Sequence, residues 1–268
     1  MHTLVRRMLW TEIVREMRKC CRLRSPATIA EVDHTSGLLV IACLFAVAGG
    51  YMDAYSDLAH GHVFANAQTG NFVFFSVYTS GGQWGCAARH LPPIVAFFLG
   101  VVVSKLLGVH SHKDSFRVTL LCQGVELLIL AALTVAGDRL PNASVVPILS
   151  FVAALQNTSF DRIGPWSFNS AMTTGNLRDA TSGLVLWIAG RETVENRRKA
   201  ITLGLICISF VAGAMCGGGY TRLGLGHALL PCLAIVAAAS LLTWRKRRNV
   251  YSLTAPNGVM VETGSSQD

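Results

Sequence analysis

Long apolar stretches alternate with short polar segments over most of this chain. Six stretches of roughly 20 residues hold few or no charged side chains: 35–52, 91–108, 118–137, 140–160, 200–221 and 223–244. A helix of about 20 residues crosses ~30 Å of hydrocarbon, because each residue advances it by about 1.5 Å. The pattern therefore predicts an all-α fold, a polytopic transmembrane helical bundle with about six full crossings.

Two shorter apolar runs, residues 72–80 and 180–190, interrupt this pattern. As helices they cover only about half of a bilayer. Each run comes after a copy of the same tripeptide, Thr-Gly-Asn. The two copies are Thr69, Gly70, Asn71 and Thr174, Gly175, Asn176. These runs predict two short helices, which either return to the side they entered from or cross with the help of polar neighbours.

The spacing of the motifs predicts a two-fold internal repeat. Asp57 and Asp161 lie 104 positions apart (161 − 57), and Phe64 and Phe168 keep the same spacing. The Thr-Gly-Asn copies lie one residue further apart, and the order long, short, long, long then occurs twice. The two halves are parallel if the short helices cross the membrane, and inverted if they do not.

Composition supports the membrane class. Hydrophobic residues make up 51% of the chain and charged residues 14%, against about 25% charged in typical soluble domains. The mean hydropathy is +0.45. Few residues remain for an aqueous domain. The predicted units are a basic cytoplasmic arm, two membrane repeats, and a basic tail that becomes disordered: residues 1–34, 35–137, 138–244 and 245–268.

The net charge of +8 is concentrated at the two ends of the chain. Basic clusters beside apolar spans are typical of the cytoplasmic membrane surface, so they predict two cytoplasmic termini rather than a nucleic-acid partner. The plasma membrane is favoured over an organelle. With six crossings, the basic segments 105–117 and 190–199 also lie in the cytoplasm, which favours inverted halves.

The paired motifs resemble those of the YoaK-like family of uncharacterised multi-pass membrane proteins. The resemblance rests on "FANAQTGN" after the first span, and on "ALQNTSF" and "TTGNL" in the second half. It extends over roughly residues 38–242. It implies a fold and a membrane location, and it implies neither a substrate nor a reaction.

The Thr-Gly-Asn copies are the first candidate site. Thr69 and Thr174 are expected to cap helix starts, and the glycines to allow close approach. The asparagine amides are expected to contact a ligand, because helix starts inside a membrane favour anionic or polar groups. The predicted substrate-binding residues are Thr69, Gly70, Asn71, Thr174, Gly175, Asn176, Gln156, Asn157 and Asp53. The alternative is that the motifs serve only the fold, by satisfying their own backbone.

Glu126 is the second candidate, because a carboxyl within an apolar span is costly and needs a partner. Gln123 lies one helical turn earlier on the same face. We expect this pair to carry a proton that couples transport, or to contact the substrate. The alternative is a structural hydrogen bond between helices, or a protonated Glu126 with no role in transport.

These features predict a secondary transporter or exporter of a small polar or anionic solute, with proton coupling as an option. The alternative is a non-transporting membrane scaffold or assembly protein. An enzyme is not expected, because the chain has no HExxH or GxSxG motif. No cofactor and no metal site are predicted. The expected partners are the lipid bilayer and an unidentified solute, and a homo-oligomer stays open.

Overall fold

The structure is a computed structural model. It describes residues 26–110, 115–136, 139–163, 166–170, 173–191, 193–224 and 226–254. The predictions for the first 25 residues and for the end of the tail, from residue 255 onward, lie outside the described residues.

The described chain is helical, as the apolar pattern predicts. In the order α1 to α8, the helices are Pro26–Ala59, Gln68–Ser80, Trp84–His110, Ser115–Ala136, Asn142–Ser159, Thr173–Ile188, Val194–Arg222 and Leu230–Thr254. Between α5 and α6, the two-residue strands β1 (Arg162–Ile163) and β2 (Trp166–Ser167) pair antiparallel. This hairpin is a small departure from an all-α fold.

Among the residues that the structure describes, four helices are long and apolar enough to cross a membrane. The candidate spans are Gly37–Ala59, Trp84–Val109, Arg117–Ala136 and Val194–Arg222. A shorter apolar helix runs over Ala143–Ser159. The prediction of a membrane-embedded helical protein is confirmed at this level, since spans of this length and hydropathy suit a bilayer.

The predicted helix over residues 223–244 is wrong at its start. The chain turns instead of continuing, with positive φ angles of 62° at Gly224 and 59° at His227. A left-handed residue cannot belong to an α-helix. Helix α8 therefore begins at Leu230, where Pro231 suits the first turn because its missing N–H needs no partner there.

Helices α1 and α7 pack closely along small residues. A Cβ atom added at Gly217 would lie 2.7 Å from the carbonyl oxygen of Tyr51. One added at Gly213 would overlap the backbone of Val47. Small residues let helix backbones approach in this way. The glycine-rich end of α7 therefore packs closely on α1.

Helix α8 runs antiparallel to α1 and to α4. Against α1, the Tyr51 hydroxyl donates to the carbonyl of Ala228, and Cys232 Sγ lies 3.9 Å from the carbonyl oxygen of Ala48. Residue numbers thus rise on one helix as they fall on the other.

Helix α8 is antiparallel to α4 as well, since residue numbers again rise on one helix as they fall on the other. Gln123 Nε2 donates to Thr243 Oγ1 at 3.4 Å, while His227 Nδ1 lies 2.8 Å from the carbonyl oxygen of Thr134. Because α8 is antiparallel to both α1 and α4, these two helices run in the same direction.

Helix α5 runs antiparallel to α4. Thr119 Oγ1 donates to the carbonyl of Ser159 at 2.7 Å, and Cys122, one turn later, packs against Leu155, one turn earlier. Since α4 and α1 share a direction, α5 also opposes α1. The first long helix of one half of the chain, α1, is therefore antiparallel to the first long helix of the other half, α5.

The helices group into two bodies that each draw on both halves of the chain. Body A contains α1, α6, α7 and α8, and body B contains α2, α3, α4 and α5. Within body A, α7 packs against α1 and α6, and α8 packs against α1. Within body B, α3 packs against α5 and α2, and α4 packs against α5. The main helix contact between the bodies is α4 with α8.

Candidate functional site

A cleft of about 1040 Å³ lies between the two bodies. The starts of both short helices line it, together with parts of α1, α3, α5 and α7. Of the predicted substrate-binding residues, six line the cleft: Thr69, Thr174, Gly175, Asn176, Asn157 and Asp53. The fold thus brings residues from both Thr-Gly-Asn copies to one opening, although they are more than 100 positions apart in the chain.

The first Thr-Gly-Asn copy holds its helix start through the asparagine. Asn71 Oδ1 accepts from the N–H of Phe64 at 3.0 Å, and Asn71 Nδ2 donates to the carbonyl of Phe64 at 2.8 Å. The amide also donates to Gln68 Oε1 at 2.9 Å. Asn71 therefore clamps the segment before α2, and its amide is occupied by protein groups.

The prediction that Thr69 caps this helix is wrong. The cap position is Ala67, where no side chain accepts a hydrogen bond from the helix start. The bonds that Asn71 forms seven residues back hold the entering chain instead. Gly70 is required for a different contact, because an added Cβ would lie 2.8 Å from Cδ2 of the Phe64 ring.

The second copy repeats the asparagine clamp. Asn176 Oδ1 accepts from the N–H of Asn169 at 3.4 Å, and Asn176 Nδ2 donates to the carbonyl of Asn169 at 2.6 Å. The clamped residue again lies seven positions before the asparagine. Gly175 differs from Gly70, since an added Cβ would meet no atom within 4 Å.

Asp53 anchors the loop that leads to α2. Its carboxylate is 6% exposed, and Oδ1 accepts from the N–H of Asn66 at 2.6 Å. Asn66 in turn donates to the carbonyl of Gly49 at 3.1 Å. A buried carboxylate needs such donors, because leaving it unpaired in a low-dielectric interior costs several kcal/mol. Asp53 thus combines a structural bond with a place on the cleft wall.

The predicted pair Gln156 and Asn157 joins α5 to both bodies. Asn157 Nδ2 donates to Asn66 Oδ1 at 3.4 Å, and Asn157 Oδ1 accepts from Ser170 Oγ at 2.6 Å. Gln156 Nε2 donates to Ser170 Oγ and to the carbonyl of Phe45, both at 3.2 Å. Only Asn157 reaches the cleft. Gln156 lies behind it as a buried link between α5 and α1.

The sequence analysis did not identify several residues of this network. Asn66 and Ser170 stand beside the quoted motifs, so their polar character in an apolar setting was the available sign. His90 was harder to find, because it precedes the apolar stretch at 91–108. It lies buried in α3 with Nδ1 3.3 Å from Asn71 Oδ1, and it stacks on the Phe74 ring at 5.4 Å.

Charged side chains surround the cleft, and most of them are paired. Lys199 Nζ lies 2.7 Å from Asp179 Oδ2, and this hydrogen bond lowers the pKa of Asp179. Arg178 also contacts Asp179, at 3.1 Å. Within the described residues, Lys105, Asp53 and Asp161 line the cleft without an ion-pair partner. The cleft therefore offers one cationic side chain without an ion-pair partner, besides the positive ends of two helix starts.

Glu126 and Gln123 lie apart from the cleft. Both are buried between α4 and α8, as a shared helix face predicts, and neither lines the opening. Gln123 reaches Thr243 on α8, but the carboxylate oxygens of Glu126 have no hydrogen-bond partner among the described residues. The structure thus places the two predicted sites in different interfaces of the bundle.

Residues 41–242 match the family described as Protein of unknown function (DUF1275). This match covers most of the chain, so the protein belongs to that family, and the resemblance to its YoaK-like members is confirmed. No curated protein and no solved structure matches the chain.

Proposed function

We propose that this member of the DUF1275 family is a secondary transporter or exporter of a small polar or anionic solute. The observation that carries the proposal is the cleft between body A and body B, framed by one short helix start from each body. Transporters with broken helices bind solutes at such starts, near the interface between their repeats. Lys105 and the two helix starts would attract an anionic group.

The proposed topology has six crossings, with α2 and α6 returning without crossing. Its support is the shared direction of α1 and α4. If α2 crossed, three reversals would separate α1 from α4, and the two helices would be antiparallel. The same reasoning applies to α5 and α8, which also share a direction because each opposes α4.

The proposed halves are inverted repeats, α1 to α4 and α5 to α8. The packing pairs support this, because exchanging each helix with its counterpart reproduces them. The pair α1–α7 becomes α5–α3, α1–α8 becomes α5–α4, and α2–α3 becomes α6–α7. Asn71 and Asn176 take equivalent places in the two halves, since each donates to the carbonyl of the residue seven positions earlier. The positive-inside rule then puts both termini in the cytoplasm.

Coupling of transport to an ion gradient through Glu126 is part of the proposal. Glu126 lies on the α4–α8 contact, about which the two bodies would move during transport. A change in its charge would alter the energy of that contact, and thus the balance between arrangements of the bodies. A proton is the coupling ion that the sequence suggests as an option.

Accessibility of the cleft from both sides of the membrane tests the proposal without knowledge of the solute. Thr174→Cys would be placed in a background without native cysteines and treated with a membrane-impermeant thiol reagent. Vesicles of both orientations are used. A transporter that alternates should be labelled from either side. The matched control is Leu128→Cys, whose side chain is 72% exposed on α4 and should face lipid and stay unlabelled.

A non-transporting scaffold is the competing function. The asparagine clamps favour it, because Asn71 and Asn176 bond to backbone and thereby serve the fold. A scaffold has one fixed arrangement, so Thr174→Cys should then be labelled from one side only. That result, in folded protein at normal abundance, would reject the transporter.

A further inference from the structure

Equivalent positions of the two halves present different charges to the cleft. Asp53 and Asn157 lie 104 positions apart (157 − 53), the spacing that relates the two halves, and both line the cleft. Asp53 Oδ1 accepts from the N–H of Asn66 at 2.6 Å. Asn157 Oδ1 accepts from Ser170 Oγ, also at 2.6 Å and also 13 residues further along the chain. The first half thus has a carboxylate where the second half has a neutral amide.

The fold alone does not explain the charge of Asp53. Asn157 shows that an amide oxygen can fill the equivalent place and accept an equivalent bond. Asp53 is 6% exposed, and within the described residues it has no ion-pair partner. A buried carboxylate without a cation beside it is costly. The charge of Asp53 therefore favours a cationic group that enters the cleft.

The start of α6 has an excess of positive charge instead. Arg178 and Lys199 both contact Asp179, at 3.1 and 2.7 Å, so two cations share one carboxylate. In α2, the positions equivalent to Arg178 and Asp179 are Val73 and Phe74, which have no charge. The positive end of the α6 helix adds to this excess, and together they favour an anionic group.

Lys105 brings a further cation to the level of Asp53. Ser104, next to Lys105, and Leu155 share a neighbour on α4, so this part of α3 lies beside the end of α5. Asp53 lies at the same end of α5, because its partner Asn66 also bonds to that helix. Lys105 belongs to body B and Asp53 to body A. Opposite charges thus line the cleft from its two bodies without forming an ion pair.

We propose that the solute of this cleft is a zwitterion of the amino-acid class. Its ammonium group pairs with Asp53, and its acid group lies at Lys105 and the start of α6. A proton on Asp53 would neutralise that carboxylate alone, whereas a zwitterion pairs charges of both signs and adds no net charge to the cleft. This inference rests on the proposed transport function, and it narrows the polar or anionic solute to one chemical class.

Thermal unfolding of the full-length protein in detergent tests the class. The panel contains the common α-amino acids, and ω-amino acids whose charged groups lie further apart. Each is compared with its N-acetyl derivative, which is an anion, and with its methyl ester, which is a cation. At least one free amino acid should raise the Tm in a saturable way by about 5 °C. Both of its derivatives should need roughly tenfold higher concentrations or more.

Asp53→Asn should abolish the preference for the free amino acid over its N-acetyl derivative. The new amide keeps an oxygen that can accept from the N–H of Asn66, as Asn157 does in the second half, so the fold should be retained. The matched control is Glu195→Gln, which removes one negative charge from the exposed first turn of α7, outside the cleft. This variant should keep the preference. If Asp53→Asn does not fold, the comparison of the three chemical forms on wild-type protein decides.

A Tm that rises equally with the free amino acids and with either derivative would overturn the zwitterion class. A Tm that responds to pH alone, or to no member of the panel, would overturn it as well. Labelling of Thr174→Cys separates this result from the transport proposal. Labelling from one side only, with protection by a free amino acid, would keep the class and reject transport. Labelling from both sides, with protection by the N-acetyl derivative alone, would keep transport and reject the class.

Discussion

At the scale of single residues, Asn71 shows how one side chain can hold a polar loop inside a membrane protein. Its amide accepts from the backbone N–H of Phe64 and donates to the carbonyl of the same residue. In a membrane interior no bulk water can replace such partners, so the backbone must be satisfied internally. The asparagine supplies a donor and an acceptor in one planar group, which a threonine hydroxyl at this place would not match.

Replacing Asn71 by Ala should therefore destabilise the protein. The backbone N–H and carbonyl of Phe64 would both lose their partner, and each partly buried, unsatisfied group costs about 1–3 kcal/mol. We expect a lower Tm in detergent and less folded protein in the membrane. Size-exclusion chromatography and thermal unfolding measure these effects.

Thr69→Ala is the control for this prediction, since Thr69 is exposed to the cleft and does not cap α2. Its Tm should stay within a degree or two of wild type. Equal losses in the two variants would show that the Thr-Gly-Asn copy acts as a whole rather than through the clamp.

The contacts of Asn71 and Asn176 could not be predicted from the sequence. The tripeptide spacing singled out Asn71 and Asn176 correctly as special positions, but it suggested ligand contact for groups that bond to backbone. The partner of Asn71, Phe64, lies seven positions upstream. Spacings of three or four residues mark helix neighbours, whereas this contact depends on the path of an irregular loop. Periodicity contains no information on such a path.

At the scale of the helices, the α1–α7 contact depends on a few glycines. Gly50 on α1 faces the backbone of Phe210, and Gly213 on α7 faces the backbone of Val47. The helices approach so closely that no side chain fits at these positions. Van der Waals packing at small residues is a main source of helix association in a membrane, because lipid is as apolar as the side chains.

Gly213→Ala should force α1 and α7 apart. The new methyl group would overlap the backbone of Val47, and backbone cannot move aside like a flexible side chain. Overpacking of this kind costs about 1–3 kcal/mol or more. Thermal unfolding and the yield of monodisperse protein should both fall.

Gly219→Ala on the same helix is the matched control. An added Cβ there meets no atom within 4 Å, and alanine favours a helix over glycine by about 0.5–1 kcal/mol. Its stability should equal or exceed that of wild type. A tolerated Gly213→Ala would contradict the close contact of α1 with α7.

Helix positions were largely predictable, and helix ends were not. The apolar stretch at 118–137 nearly coincides with α4, because charge and apolar length both mark that span. The stretch at 223–244 included a turn, since Leu223 and Leu229 are apolar but lie on either side of Gly224. Hydropathy registers apolar side chains and ignores the backbone conformation that a single glycine permits.

At the scale of the whole molecule, the two halves of the chain exchange their first long helices. Helix α1 packs with α7 and α8 of the second half, and α5 packs with α3 and α4 of the first half. The motif spacing predicted two halves, but the exchange depends on contacts such as Gly50 with Phe210, which lie far apart in the chain. No local pattern encodes which half a helix will join. Because of this exchange, each body contains helices from both halves of the chain. The main helix contact between the bodies is that of α4 with α8.

The directions of the helices also predict where loops emerge. Helices α5 and α8 run the same way only if the chain crosses once more, through α7, between them, so that α6 does not cross. A tag inserted at Lys113, between α3 and α4, should therefore lie on the same side as a C-terminal tag. If all eight helices crossed, the two tags would lie on opposite sides. Basic residues near Lys113 agree with the cytoplasmic side under the positive-inside rule.

Protease protection of both tags in sealed vesicles measures this sidedness. A third tag at Gly226, between α7 and α8, is an internal control, because six and eight crossings both place it opposite the C-terminus. Cleavage of the Lys113 tag together with the C-terminal tag is the expected result. Protection of Lys113 together with Gly226 would mean that α6 crosses. The start of α6 would then no longer be a return within the membrane, and the cleft would lose the pair of helix starts that relates it to a solute site.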